Sequence, residues 1–187
     1  NLEVSRSINS IWPPNWIKVA RRIRAEEPDI VIFKYWLPFM APCFGTIARL
    51  IKKNRKTRVL TILDNIIPHE KRPGDILLTK YFVKPIDGFI AMSRSVLSEL
   101  KNFDAKSPGI YSPHPVFDNF GTPVSRDEAL DNLGLERKHR YILFFGLVRE
   151  YKGLDIMIRA FADKRLRDKN LRLLVVGEFY TSREPYN

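Results

Sequence analysis

The sequence predicts an α/β fold with parallel sheets, and three observations carry that expectation. Short apolar runs of strand length alternate with segments whose apolar residues recur at helical spacing, the pattern of βαβ crossovers. A stretch from Ser112 to Val124 holds Pro113, Pro115, Gly121 and Pro123 with few periodic apolar residues, and it separates a first part, 1–124, from a second, 125–187. In the second part the apolar run Tyr141–Phe145 ends in Gly146, and a new helical stripe opens at Gly153.

In chain order, Asn15 is placed to cap a helix whose stripe is Trp16, Val19, Ala20 and Ile23. Pro28 ends that helix before a strand over Asp29–Phe33. Ile47, Leu50 and Ile51 mark a second helix, which runs into the charge cluster Lys52, Lys53, Arg55, Lys56 and Arg58. A strand over Val59–Leu63, a loop, and a helix from about Asp75 to Val83 follow. Gly88–Met92 reads as a buried strand, Ser93 or Ser95 caps a helix carrying Val96, Leu97 and Leu100, and Ile110 and Tyr111 make a short last strand.

The second part starts afresh, because Ser125-Arg126-Asp127-Glu128 has the form of a capping box. Strand Tyr141–Phe145, helix Leu154–Ala162 and strand Leu171–Val176 complete one βαβ unit. One crossover cannot cover both faces of a parallel sheet. Either this unit packs on the first sheet or the chain is a piece of a longer one, and the lack of a closing helix after the last strand favours the second.

Composition narrows the classes of function. With 187 residues, 44% of them hydrophobic, the chain can bury one or two cores. Its net charge of +11 is uneven: residues 1–125 hold 19 basic and 11 acidic residues, +8, and the remainder 13 and 10, +3. The balance points to anionic partners without choosing among nucleic acid, lipid headgroups and phosphorylated substrates. The single cysteine, Cys43, excludes an internal disulfide framework and a multi-cysteine metal site, and it favours a reducing, cytoplasmic setting. The chain opens on polar residues with no apolar signal core. The apolar stretch Ile30–Ile51 is interrupted by Lys34, Pro38, Pro42 and Arg49, so it reads as strand, loop and helix rather than a membrane span. No metal-ligand spacing, nucleophile elbow or Walker loop occurs.

The segment from Phe144 to Gly153 has the chemistry of a phosphate site. A strand ends in a glycine turn, and Arg149 and Lys152 precede a helix whose first amides and dipole favour an anion. A solvated basic loop would carry the same residues, so this segment alone leaves both readings open.

The string ILFFGLVREYKGLDIMIRAF, Ile142–Phe161, followed by LRLLVVGEF, Leu171–Phe179, resembles the opening of the C-terminal domain of retaining GT-B glycosyltransferases. Upstream, PDIVIF (Pro28–Phe33), VLTILDNIIPHEKRPGD (Val59–Asp75), DGFIAMSRSVLSEL (Asp87–Leu100) and YSPHPVFDNFG (Tyr111–Gly121) fall in the order and spacing of that family's N-terminal domain. The resemblance implies a Rossmann-like N-terminal sheet plus the first βαβ unit of a second Rossmann-like domain. It implies transfer of a sugar from a nucleotide-diphosphate donor to a saccharide or lipid-linked acceptor, in cell-surface polysaccharide or glycolipid synthesis, without a metal or other cofactor. Gly146, Arg149, Lys152 and Gly153 would hold the donor diphosphate. The family's glycine-rich first loop and its Glu-x7-Glu element would lie outside the chain, which is then expected to be an inactive fragment.

The same resemblance draws attention to Asp64 and His69 as catalytic candidates. Many members place a His-Asp pair after the strand matching Val59–Leu63. Here that pair is Leu63-Asp64, and His69, five residues beyond Asp64, is the substitute. Read alone, Asp64 fits a turn residue equally well, and His69 an ordinary loop histidine. Ser93 caps a helix and is a candidate for facing the ligand cleft, while His114, between two prolines, reads as a packed residue at the hinge. Trp12, Trp16 and Trp36 have the character of core or membrane-facing anchors. The basic N-terminal face fits an anionic membrane surface, placing the protein at the inner face of the plasma membrane. A nucleic-acid-binding module is the competing reading, weakened because aromatics do not interleave with the cations.

Overall fold

A computed structural model describes residues 3–68, 72–104, 106–167, 170–180 and 182–186. The chain divides into two units between Val116 and Phe117, inside the Pro- and Gly-bearing segment.

The first unit is a four-stranded parallel sheet of β1 (Ile30–Tyr35), β2 (Arg58–Leu63), β3 (Gly88–Ala91) and β4 (Gly109–Tyr111), in that spatial order. Helices α1 (Pro13–Glu26), α2 (Ala41–Ile51), α3 (Asp75–Val83) and α4 (Arg94–Leu100) connect or flank the strands. Strand residues alternate between two faces. Phe33 and Tyr35, Val59, Thr61 and Leu63, and Phe89 and Ala91 are buried beneath the helices. On the other face Ile30, Ile32 and Ile110 are exposed. Phe82 of α3 organises the covered side: its ring stacks on Tyr35 at 4.4 Å and meets Phe33 edge-on at 6.2 Å. Burying such a ring contributes roughly 2 to 3 kcal/mol. The Tyr35 hydroxyl is 3.1 Å from Thr79 Oγ1, and burial pushes the phenol up to about 12.

Three elements begin or end differently from the sequence expectation. Asn15 does not cap α1; the capping position is Trp12, with prolines opening the first turn. Proline has no N–H, so two of the orphan donors that a cap would serve are absent. Asn15 instead accepts from the Asn9 amide at 2.8 Å and donates to the Ser7 carbonyl at 3.0 Å, tying the preceding segment to the helix. The second helix starts at Ala41, well before Ile47, because Pro42 fits a first turn and Cys43 and Ala48 share the buried face with Ile47 and Ile51. β1 runs on to Tyr35, whose side chain completes the buried row with Leu63 and Ala91.

The second unit contains α5 (Arg126–Asn132), β5 (Arg140–Phe145), α6 (Leu154–Phe161), α7 (Lys164–Arg167) and β6 (Leu171–Val176), with β5 and β6 parallel. Ser125 Oγ accepts from the Glu128 amide at 3.2 Å, as the capping pattern requires. Leu130, Val148 and Leu154 are buried among its described residues, whereas Phe145 is 79% exposed. Among the described residues no helix is long and apolar enough to cross a membrane.

One carboxylate ties three elements of the first unit together. Asp87 Oδ1 accepts from Lys52 Nζ at 2.6 Å, its Oδ2 accepts from the Val59 amide at 2.8 Å, and its own amide donates to the Val59 carbonyl at 2.7 Å. Burial opposes ionisation, but the Lys52 and Val59 hydrogen bonds with the charges of Lys52 and Arg58 outweigh it. The carboxyl is therefore held below its ordinary range. With the folded pKa below the unfolded one, this stabilisation is complete above the unfolded value of about 3.9 and is lost as pH falls through the folded value. Asp87→Asn is expected to cost about 1 to 3 kcal/mol in urea unfolding at pH 7, a deficit that shrinks on acidification below about pH 4. Equal unfolding midpoints at pH 7 would show that the Asp87 contacts add nothing.

Candidate functional site

Parallel α/β sheets present ligands at the carboxyl ends of their strands. In the second unit those ends are Phe145 and Val176, paired side by side. The chain continues the pairing beyond them: Gly146 N donates to Val176 O at 2.9 Å, Val148 N to Glu178 O at 2.8 Å, and Tyr180 N to Val148 O at 3.1 Å. This tight apposition needs glycine. A Cβ on Gly177 would lie 1.8 Å from the Gly146 carbonyl oxygen, and Gly177 itself has φ +157.

The paired loops position the cations. Arg149 is half-buried, with its guanidinium carbon 5.1 Å from the centre of the Tyr180 ring. Glu150–Lys152 form a single 3-10 turn, and Lys152 Nζ stands 5.4 Å from the Tyr151 ring centre. Gly153, at φ 70 and ψ 29, closes that turn and opens α6. A left-handed residue at this junction is what lets two helical segments meet at an angle. No side chain caps α6, and the acid of its first turn, Asp155, is engaged by Arg159. Gly146, Arg149, Lys152 and Gly153 are thus gathered in one loop before an uncapped helix. The two cations lie on the 3-10 turn and its lead-in rather than on α6 itself. Sequence reasoning missed Gly177 and Tyr180; the signal was the second strand-to-glycine junction, Val176-Gly177, repeating Phe145-Gly146.

The first unit has its own carboxyl edge. Asp64 follows β2 there, and its Oδ1, shielded from solvent, faces Lys34 Nζ of β1 at 3.1 Å as an ion pair without hydrogen-bond alignment. Lys34 was not singled out in the sequence, where it read only as an interruption of an apolar run. Leu63, which the resemblance aligned with a histidine, is fully buried in the helix-covered row and belongs to the core. His69 lies outside the described residues. Ser93 Oγ accepts from the Val96 amide at 3.2 Å and is 2.9 Å from Ser95 Oγ, which establishes it as the cap of α4. Arg94 stands over Tyr111, 4.9 Å from the ring centre, at the same edge.

The remaining histidines are elsewhere. His114 is exposed rather than packed, with Nδ1 donating to the Pro115 carbonyl at 3.2 Å. His139 is buried at the opposite, amino-terminal end of β5, where it meets Asn170 and, at 3.3 Å, Glu136. Of the basic cluster, Lys52 is bound to Asp87 and Lys56 to Glu27. Among the described residues no group of three or more His, Cys, Asp or Glu could hold a metal ion.

Fold and edge together define a Rossmann-like α/β protein. No protein family and no curated protein sequence matches the chain.

Gly177→Ala is expected to destabilise the second unit by about 3 kcal/mol or more, since it adds a backbone collision to a conformation that L-residues avoid. Thermal unfolding followed by near-ultraviolet circular dichroism checks this. A variant that melts with the parent would mean that the 146–149 and 177–180 loops are not packed as described.

Proposed function

We propose that the chain carries the donor-diphosphate site of a retaining glycosyltransferase of the GT-B type. It would use a nucleotide-diphosphate sugar as donor and a saccharide or lipid-linked molecule as acceptor, at the cytoplasmic side of the membrane, in cell-surface polysaccharide or glycolipid synthesis. The observation that carries the reading is the loop between β5 and α6, where Arg149 and Lys152 precede an uncapped helix at the carboxyl end of a parallel strand. The strings that resemble the family supply the reaction class.

Glycosyl transfer leaves a nucleoside diphosphate, so negative charge grows on the leaving group as the bond to the sugar breaks. Fixed cations then stabilise the transition state more than the bound donor. Arg149 can fork onto two phosphate oxygens, and the Tyr180 face restrains its guanidinium before the donor arrives. Lys152 supplies a point charge on a more exposed stem. The amides of the first turn of α6 add fixed donors. In this reading charge neutralisation rests on protein cations, and Asp64 and His69 serve the sugar side. The nucleic-acid reading loses support because Lys52 and Lys56, two members of its basic cluster, are engaged within the fold.

Titration with UDP, GDP and ADP tests the site directly. Arg149→Ala and Lys152→Ala are each expected to weaken the preferred diphosphate by about tenfold or more and to lower sugar transfer by about 100- to 1000-fold. Arg149→Lys is expected to recover only part of the loss. Unchanged diphosphate affinity in both alanine variants would return the loop to a solvated basic surface.

A further inference from the structure

Three of the first part's basic residues meet at one groove. Between α1 and the end of α2 a depression of about 340 Å³ is lined by Ile17, Arg21, Arg24, Leu50 and Lys53. Ile17, Arg21 and Arg24 are four and three residues apart and so share one face of α1. Leu50 and Lys53 face them from the other helix and the turn that follows it. Three cations therefore surround an aliphatic floor, and among the described residues no acid lines it. The two acids at the end of α1 pair with other cations: Glu26 with Arg22 at 3.0 Å and Glu27 with Lys56 at 2.5 Å. Just before α1, Ile11 and Trp12 are 71% and 60% exposed.

We propose that this groove docks the protein on an anionic phospholipid surface. A headgroup phosphate would sit among Arg21, Arg24 and Lys53, glycerol and upper acyl carbons would lie over Ile17 and Leu50, and Trp12 would rest at headgroup depth. Each part follows from chemistry. Cations near an anionic leaflet each strengthen binding, and an indole is favoured at the interface. An aliphatic floor gives nothing to a base that would stack, which favours lipid over single-stranded nucleic acid. The groove is independent of the transferase reading, since vesicle binding requires neither donor nor acceptor.

Co-sedimentation with vesicles of phosphatidylcholine alone or with 30 mol % phosphatidylglycerol (~ a moderately anionic surface) provides the test. The chain is expected to bind the anionic vesicles and to leave the neutral ones. Arg21→Gln, Arg24→Gln and Lys53→Gln are each expected to lose about fivefold, and the triple variant roughly a hundredfold. A control carrying Lys84→Gln, Lys101→Gln and Lys106→Gln makes the same change in net charge and is expected to lose far less. Circular dichroism melting establishes that each variant is folded, and the single variants carry the test should the triple one be unstable. Equal losses in the control and groove variants would overturn the proposal, as would equal binding to neutral vesicles. Groove-dependent binding of inorganic phosphate without vesicle binding would assign a soluble phosphate ligand instead. Groove-dependent retention by a single-stranded oligonucleotide without vesicle binding would assign nucleic acid.

Discussion

The first unit is governed by the order in which its strands are added. They enter the sheet in chain sequence, β1 to β4, all parallel. Parallel crossovers are right-handed, so repeated steps in one direction deliver their helices to the same face. The burial pattern records this: alternate residues of β1 and β2 are enclosed, and their neighbours on the second face stay open or half-open. One-sided cover concentrates the aromatic packing of Phe33, Tyr35, Phe44 and Phe82 into a single layer. Parallel pairing sets the carboxyl ends of the four strands along one edge, so Lys34, Asp64, Ser93 and Tyr111 share that edge despite their separation in sequence.

Charge is distributed by the same architecture. Cations at the lower ends of the strands become structural: Lys52 bonds to Asp87 and to the Pro85 carbonyl, and Lys56 pairs with Glu27. Arg49 is consumed between helices, donating to the Gly45 and Tyr81 carbonyls with its guanidinium over the Tyr81 ring. What remains on α1 is a row of cations whose local acids are engaged elsewhere. A net charge read from composition therefore overstates the free charge of the cluster Lys52–Arg58, in which Lys52 and Lys56 are paired.

The alternation of strands and helices was legible because burial imposes period 2 on strands and 3.6 on helices, and those periods survive in the residues. Asp75–Val83 and Leu171–Val176 fall where the pattern places them. Capping was legible at Ser93 and Ser125, where a hydroxyl precedes the stripe, but not at α1, where prolines remove the need for one. The loop Gly146–Gly153 was legible as a cluster of types. Its Tyr180 partner was not, because contact between two strand ends depends on their pairing and leaves no local periodicity. Lys34 was hidden for the same reason: its meaning arises only when β1 and β2 lie in register and Asp64 comes opposite.

Helix starts separate the two carboxyl edges. Prolines remove donors from the first turns of α1 and α2, and α4 is closed by Ser93. In α3, which begins after a long loop, Asp75 turns back to accept from the Arg72 amide at 2.8 Å. α6 begins beyond its own loop and 3-10 turn, has like α3 neither proline nor side-chain cap at its start, and has its first-turn acid taken by Arg159. A helix start without a side-chain cap, preceded by Arg149 and Lys152, favours an anion. The proposed donor-site reading draws on that start, whereas the carboxyl edge of the first unit carries the mixed charge of the Lys34–Asp64 pair.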